Sequence, residues 1–206
     1  MNVFENVSLG RKVSGNDFMR FDYEPEVSNF AKCTGYWYDR VVNVLTGESY
    51  DEGHCFNMIM NSIGRLAAAR FRGGIEHGGL QMWAVGSGAS SWDARWDGDA
   101  PPAAEADATG LVNEIGRLPI HAGSADSSIV FVDASGNPTD SLTNRILVRR
   151  LFGRTEANGD WREFALFGGN ATEERGSGIM VNHKLHRIIT KTSDMTVERN
   201  IIFTFN

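Results

Sequence analysis

At 206 residues the chain can build one domain with a substantial core, or one domain carrying an arm. Its 41% hydrophobic and 22% charged content is that of a chain that folds, not of a disordered one. The formal net charge of −6 disfavours a phosphate-backbone partner, and no run approaches the roughly 20 apolar residues of a membrane helix.

Residues 1–34 read as a loop-rich segment or extended N-terminal arm, and 35–206 as a single β-rich domain. Phe4, Phe18, Phe21, Tyr23 and Phe30 stand singly among polar residues, with neither a helical nor a strand period. Such spacing suits an arm laid on a neighbouring subunit, each ring filling one pocket. Met1 to Asn6 lack the basic start and apolar run of a secretory leader. Cys33 and Cys55 are therefore expected as reduced, buried thiols in a soluble protein made in a cytoplasm.

Tyr36-Trp37-Tyr38 and Val41 to Val44 read as strand, followed by a turn at Thr46-Gly47-Glu48-Ser49. Cys55 to Phe71 predicts one helix: Phe56, Ile59, Met60, Ile63, Leu66 and Ala67 recur at steps of three and four. Asp51-Glu52 precede it, Gly73-Gly74 end it, and Arg65 and Arg70 suit its C-terminal half. Leu80 to Val85 reads as a strand with the uninterrupted apolar run Met82 to Val85, expected as central. A long loop follows over 86–107, holding Trp92 and Trp96, and Thr109 to Arg117 reads as a short helical turn.

From Leu118 the pattern is β, with strands expected near 118–122, 127–133, 143–153, 161–167, 178–191 and 196–205. Asn158-Gly159 is a strong hairpin cue. In the last strand Val197, Ile201, Phe203 and Phe205 share one face with Arg199, while Glu198, Asn200, Thr204 and Asn206 share the other. The fold class expected is mainly β: an antiparallel, sandwich-like domain with one main helix packed on it.

No residue set reads as a catalytic, cofactor or metal site. Gly86-Ser87-Gly88 lacks the third glycine and the helix that a phosphate loop needs; the glycines suit a tight strand exit. Of five histidines only His183 and His186 are close, and three residues apart on a strand they face opposite ways. Asp93, Asp97 and Asp99 read as a solvated acidic loop, with calcium as a minor alternative. No Gly-X-Ser-X-Gly elbow is present. Arg145 and Arg149 share a strand face, with Arg150 opposite, and could oppose an acidic loop of a neighbour. The interface candidates are Phe4, Phe18, Phe21, Tyr23, Trp92, Trp96, Arg145 and Arg149.

From Asn61 onward the order of short signatures resembles small tail-associated or collar-associated virion proteins of tailed bacteriophages, including the attachment parts of some tail fibres. The signatures are Gly64-Arg65, Gly86-Ser87-Gly88, Leu111 to Arg117, Asn158-Gly159, Glu163 to Phe167, Gly178-Ile179-Met180, Lys191-Thr192 and Ile201 to Phe205. Ala165 departs from a frequent glycine, and Asn182-His183 from a usual arginine. The resemblance implies a β-rich, homo-oligomeric structural protein of the virion. It would link tail, collar or fibre components, with other copies of itself and other virion proteins as partners. It implies no cofactor, no enzymatic activity, and neither nucleic acid nor membrane as partner. The rival expectations are a capsid decoration protein and a carbohydrate- or receptor-binding β-sandwich, in which Trp92 and Trp96 would stack on sugar rings.

Overall fold

A computed structural model describes residues 32–73, 78–95, 104–120 and 126–206. Phe4, Phe18, Phe21, Tyr23, Phe30, Trp96, Asp97, Asp99, His77 and His121 lie outside the described residues.

The described elements are β1 (Cys33–Asn43), β2 (Ser49–Ile59), α1 (Ile63–Phe71), β3 (Gly78–Gly86), a 3-10 segment (Ser90–Arg95), β4 (Glu114–Pro119), β5 (Ser127–Val132), β6 (Pro138–Thr139), β7 (Arg145–Phe152), β8 (Gly159–Gly169), β9 (Ile179–Lys191) and β10 (Met195–Phe205). All ten strands join one antiparallel sheet in the order β4-β3-β8-β9-β2-β1-β10-β7-β5-β6. β2 is the seam: it pairs with β1 along its length but with β9 only at Met58↔His183 and Ile59↔Asn182. The sheet bends there into a half-barrel. Trp37, Val148, Phe152, Ile201 and Phe203 from one half pack into one cluster with Trp83, Phe164, Leu166, Val181 and Ile189 from the other. The helix lies against the β3–β8–β9 half, burying Leu66.

The mainly-β antiparallel class and the single α-helix among the described residues agree with the sequence reading, as do the strands at β1, β3, β5, β7, β8, β9 and β10. The run Met82 to Val85 is central, between β4 and β8.

Three local expectations are corrected. The helix does not start at Cys55: β2 runs to Ile59 and α1 begins at Ile63. Over five residues, steps of three and four cannot be told from alternation, and β1 offers a ready ladder at Trp37↔Cys55 and Gly35↔Asn57. Asp51 and Glu52, read as a helix start, lie in the part of β2 that pairs with β1 alone. Thr109 to Arg117 is not a helical turn: bends at Gly110, Val112 and Asn113 lead into β4, which starts before the strand expected near 118–122 and shares Leu118 and Pro119 with it, residues 121 and 122 lying outside the described residues. There the Val112 and Asn113 N–H groups bond a tertiary carboxylate instead of local carbonyls. Asn158-Gly159 makes its turn, with Ala157 at φ 49° and Gly159 at φ 138°, but closes no hairpin. β7 pairs with β10 and β5, whereas β8 pairs with β3 and β9. The turn is a corner between the two halves, held by buried Lys191, whose Nζ donates to the Gly153 carbonyl and Asn158 Oδ1, both at 2.7 Å.

Candidate functional site

The interior carries an ionic centre. Asp39 on β1 and Arg199 on β10 are register partners, both pointing inward and both fully buried. Arg199 Nε donates to both Asp39 oxygens at 2.9 Å, and Nη2 donates to Oδ2. Trp37 Nε1 adds a third donor to the carboxylate at 2.6 Å. The guanidinium lies 4.3 Å from the Phe164 ring centre, 5.0 Å from Trp161 and 5.4 Å from Trp37, so its cation also faces aromatic rings. His186 Nδ1 donates to the Arg187 carbonyl at 2.7 Å, leaving Nε2 to accept from Arg199 Nη2 at 3.4 Å. Burial, reinforced by the Arg199 charge, pushes His186 well below its usual value and keeps it neutral. Burial pushes the Asp39 carboxyl up, opposed by Arg199.

A second polar cluster sits on the outer face of β8 and β9 and holds the long loop. Glu163 is fully buried. Its carboxylate accepts the N–H groups of Val112 at 3.1 Å and Asn113 at 2.9 Å, and lies 2.9 Å from His183 Nε2. The loop ends are tied together: Ser87 N–H donates to the Asn113 carbonyl at 2.8 Å, and Asn113 Nδ2 to Ser87 Oγ at 2.6 Å. Arg162 grips the Asp93 carboxylate with Nε and Nη2, both at 2.7 Å.

The Gly-X-Gly exit is built for this loop. A Cβ at Gly86 would lie 2.6 Å from Glu163 Oε1 and 2.9 Å from the Asn113 carbonyl oxygen. Gly88 has φ +54°, and a Cβ there would collide with the Trp92 ring.

The interface candidates fall as follows. Trp92 is half-buried and packs beside Leu185 and Ala104. Asp93 is engaged by Arg162 of its own chain, which holds its carboxyl below the usual value. Arg145 Nη1 donates to the Asp133 and Ala134 carbonyls at 2.7 and 2.6 Å, and Arg149 lies 3.8 Å from Glu198. Arg150 faces the opposite way, as expected; that face is the buried one, and there it pairs with Glu156 at 3.0 Å. The two half-exposed arginines thus share a face but have partners within the chain. Cys33 and Cys55 are free thiols, half-buried, and burial pushes Cys33 up to about 11.

Sequence reasoning missed Asp39, Glu163 and His183. The available signal was an inward-phase Asp between Trp37 and Val41, matched by an inward-phase Arg between Val197 and Ile201. Opposite charges on two otherwise apolar faces imply that those faces meet.

Among the described residues no group of three His, Cys, Asp or Glu is placed to hold a metal, and no helix is long and apolar enough to cross a membrane. Cavities open at the surface of the described residues. One of about 290 Å³ lies where β2 parts from β9, over Trp37 and His186. One of about 330 Å³ is an apolar groove between α1 and the sheet. One of about 400 Å³ lies beside Ser62, Arg65 and Asn170. Large apolar side chains also reach the surface: Phe71 is 92% exposed, Leu142 86% and Phe56 66%. No family model, curated protein or solved structure matches this chain.

Proposed function

We propose that this chain is a self-associating structural protein of a tailed-phage particle, linking tail, collar or fibre components. It would act through a sandwich-like body and an extended N-terminal arm, without catalysis. The observation that carries the reading is the division of labour among side chains. The buried polar groups Asp39, Arg199, Glu163, His183 and Lys191 bond strands, a loop and a corner of their own chain. Apolar groups, by contrast, line an open groove and reach the surface at Phe56, Phe71 and Leu142. Rigid scaffolding inside and apolar contact area outside suit assembly. The ordered signatures from Gly64-Arg65 to the last strand supply the virion context.

Light scattering of the purified protein tests self-association: a defined trimer, hexamer or larger ring is expected, and a monomer across the micromolar range counts against it. Immunogold labelling of particles tests the location. Label on the tail, collar or fibre base is expected. Label on the head would move the protein to the decoration class, and unlabelled particles would remove the virion reading.

A further inference from the structure

The sheet has an opening at its seam. The register Met58↔His183 and Ile59↔Asn182 would go on to set Phe56 opposite Leu185 and Cys55 opposite His186, but those pairs are not made. Among the described residues, Ser49 to Asn57 of β2 have β1 as their one ladder partner, and β9 beyond His183 has β8 alone. The cause is a bulge. Between Trp161↔Ile189 and Glu163↔Leu185, two steps along β8 are matched by four along β9. Extra residues bend a strand and end its pairing, so β9 turns away and leaves the edge of β2 open.

The opening is built, and it is not filled. A cavity of about 290 Å³ lies in it, walled by Gly53 and Cys55 of β2 and by Lys184 and Arg187 of β9, with Trp37 and His186 beneath. Gly53 has φ +91°, and a Cβ there would lie 2.9 Å from the Trp37 ring, so β2 passes the cavity as bare main chain. Lys184 Nζ donates to the Phe56 carbonyl at 3.0 Å, a side chain standing where a ladder N–H would. β2 carries neither proline nor lysine, two usual guards of an open edge. Next to the lining residues, Phe56 is 66% exposed and Ile188 43%. Glu52 is the one carboxylate of the lining against the cations of Lys184 and Arg187.

We infer that this opening takes an extended segment of a partner polypeptide, added as a strand to the free edge of β2. The segment's main chain supplies the ladder that β9 gives up. An acidic side chain of the segment lies over Lys184 and Arg187, and an apolar one packs against Phe56. The inference goes beyond self-association, because a single copy presents the whole edge.

The test uses the full chain and synthetic peptides about nine residues long, the length of the open edge. They carry Val on one face and Thr on the other, with the central Thr replaced by Glu, Lys or Ala. Binding is read by fluorescence anisotropy. The Glu peptide should bind at least about tenfold tighter than the Lys peptide. Arg187→Glu, at an exposed position, should reverse that order with circular dichroism matching the parent. Bound peptide should slow hydrogen exchange in residues 49–57 and leave β5 and β7 unchanged.

Methylated peptide nitrogens separate a ladder from side-chain docking. Alternate N–H groups of a strand point to opposite edges. Methylating the set that faces β2 should abolish binding, and methylating the other set should spare it. Equal binding with either set methylated overturns the inference. So does a preference unchanged by Arg187→Glu, slowed exchange confined to strands other than β2 and β9, or no binding by any of the peptides at about 1 mM.

Discussion

The two halves of the sheet bury themselves differently. In β1 the buried residues alternate: Gly35, Trp37, Asp39 and Val41 point in, while Tyr36, Tyr38 and Arg40 sit on the more open side. In the other half, Trp161 to Gly169 of β8 are buried without a break, as are Met82 to Gly86 of β3. The reason is a roof. Ala108 and Leu111, on the chain that leads into β4, pack with Met82, Ala84, Ala165 and Phe167 on the outer face. A strand covered on one face keeps a period of two, and a strand covered on both loses it. The chain around Ala108 to Asn113 is thus a layer of the protein, and Glu163 is its fastening.

The strongest break of this comparison is at the centre both halves share. Asp39→Ala leaves Arg199 buried without its counter-charge. It should cost about 3–5 kcal/mol, measured by urea denaturation, with both halves unfolding together. The double change Asp39→Leu with Arg199→Met should recover most of that loss, since the isolated charge is then gone. A double variant as unstable as the single would mean that packing, not charge, holds the centre.

Glu163→Gln should act on the roofed half alone. It weakens the bonds to Val112 and Asn113 and the contact with His183, for about 1–3 kcal/mol. Hydrogen exchange should rise in residues 104–113 and hardly at all in β1 and β10. Uniform acceleration would show that the roof and the sheet are one cooperative unit.

A pH effect smaller than the loss of the Asp39–Arg199 pair is expected from His186. Its pKa in the folded protein lies well below the 6.5 of an unhindered histidine. Between the two values the unfolded chain binds a proton that the folded chain refuses, so stability falls as pH drops below 6.5. His186→Gln should flatten that part of the curve in thermal melts. A slope equal to the parent's would assign it to other groups.

The smallest effect belongs to the open face. Phe56→Ser should change stability by less than about 0.5 kcal/mol, because most of the ring is already in water. A larger loss in the assembled protein, absent at dilution, would place Phe56 in a contact between copies.

Much of the scaffold was legible in the chain. Alternation in the last strand marked its inward face, including Arg199, and the unbroken run Met82 to Val85 marked a covered central strand. These signals are local: each follows from which side chains leave water on a two-residue repeat. The site was less legible. Gly86 and Gly88 announced a close approach, but nothing near them named Glu163 or Trp92 as what approaches.

What only the tertiary structure decided was the choice among local alternatives of similar energy. Cys55 to Ile59 could have been helix, and became strand because β1 and β9 supplied ladder partners. Asn158-Gly159 could have closed a hairpin, and became a corner because β8 found β3 and β9 on the far side. Asp39 and Arg199 lie 160 residues apart in sequence, and neither charge can be buried unless the fold brings the other to it. The sequence by itself thus determined where strands run and which faces are apolar. Pairing order and long-range charge matching rest on contacts that exist only once the chain has closed on itself.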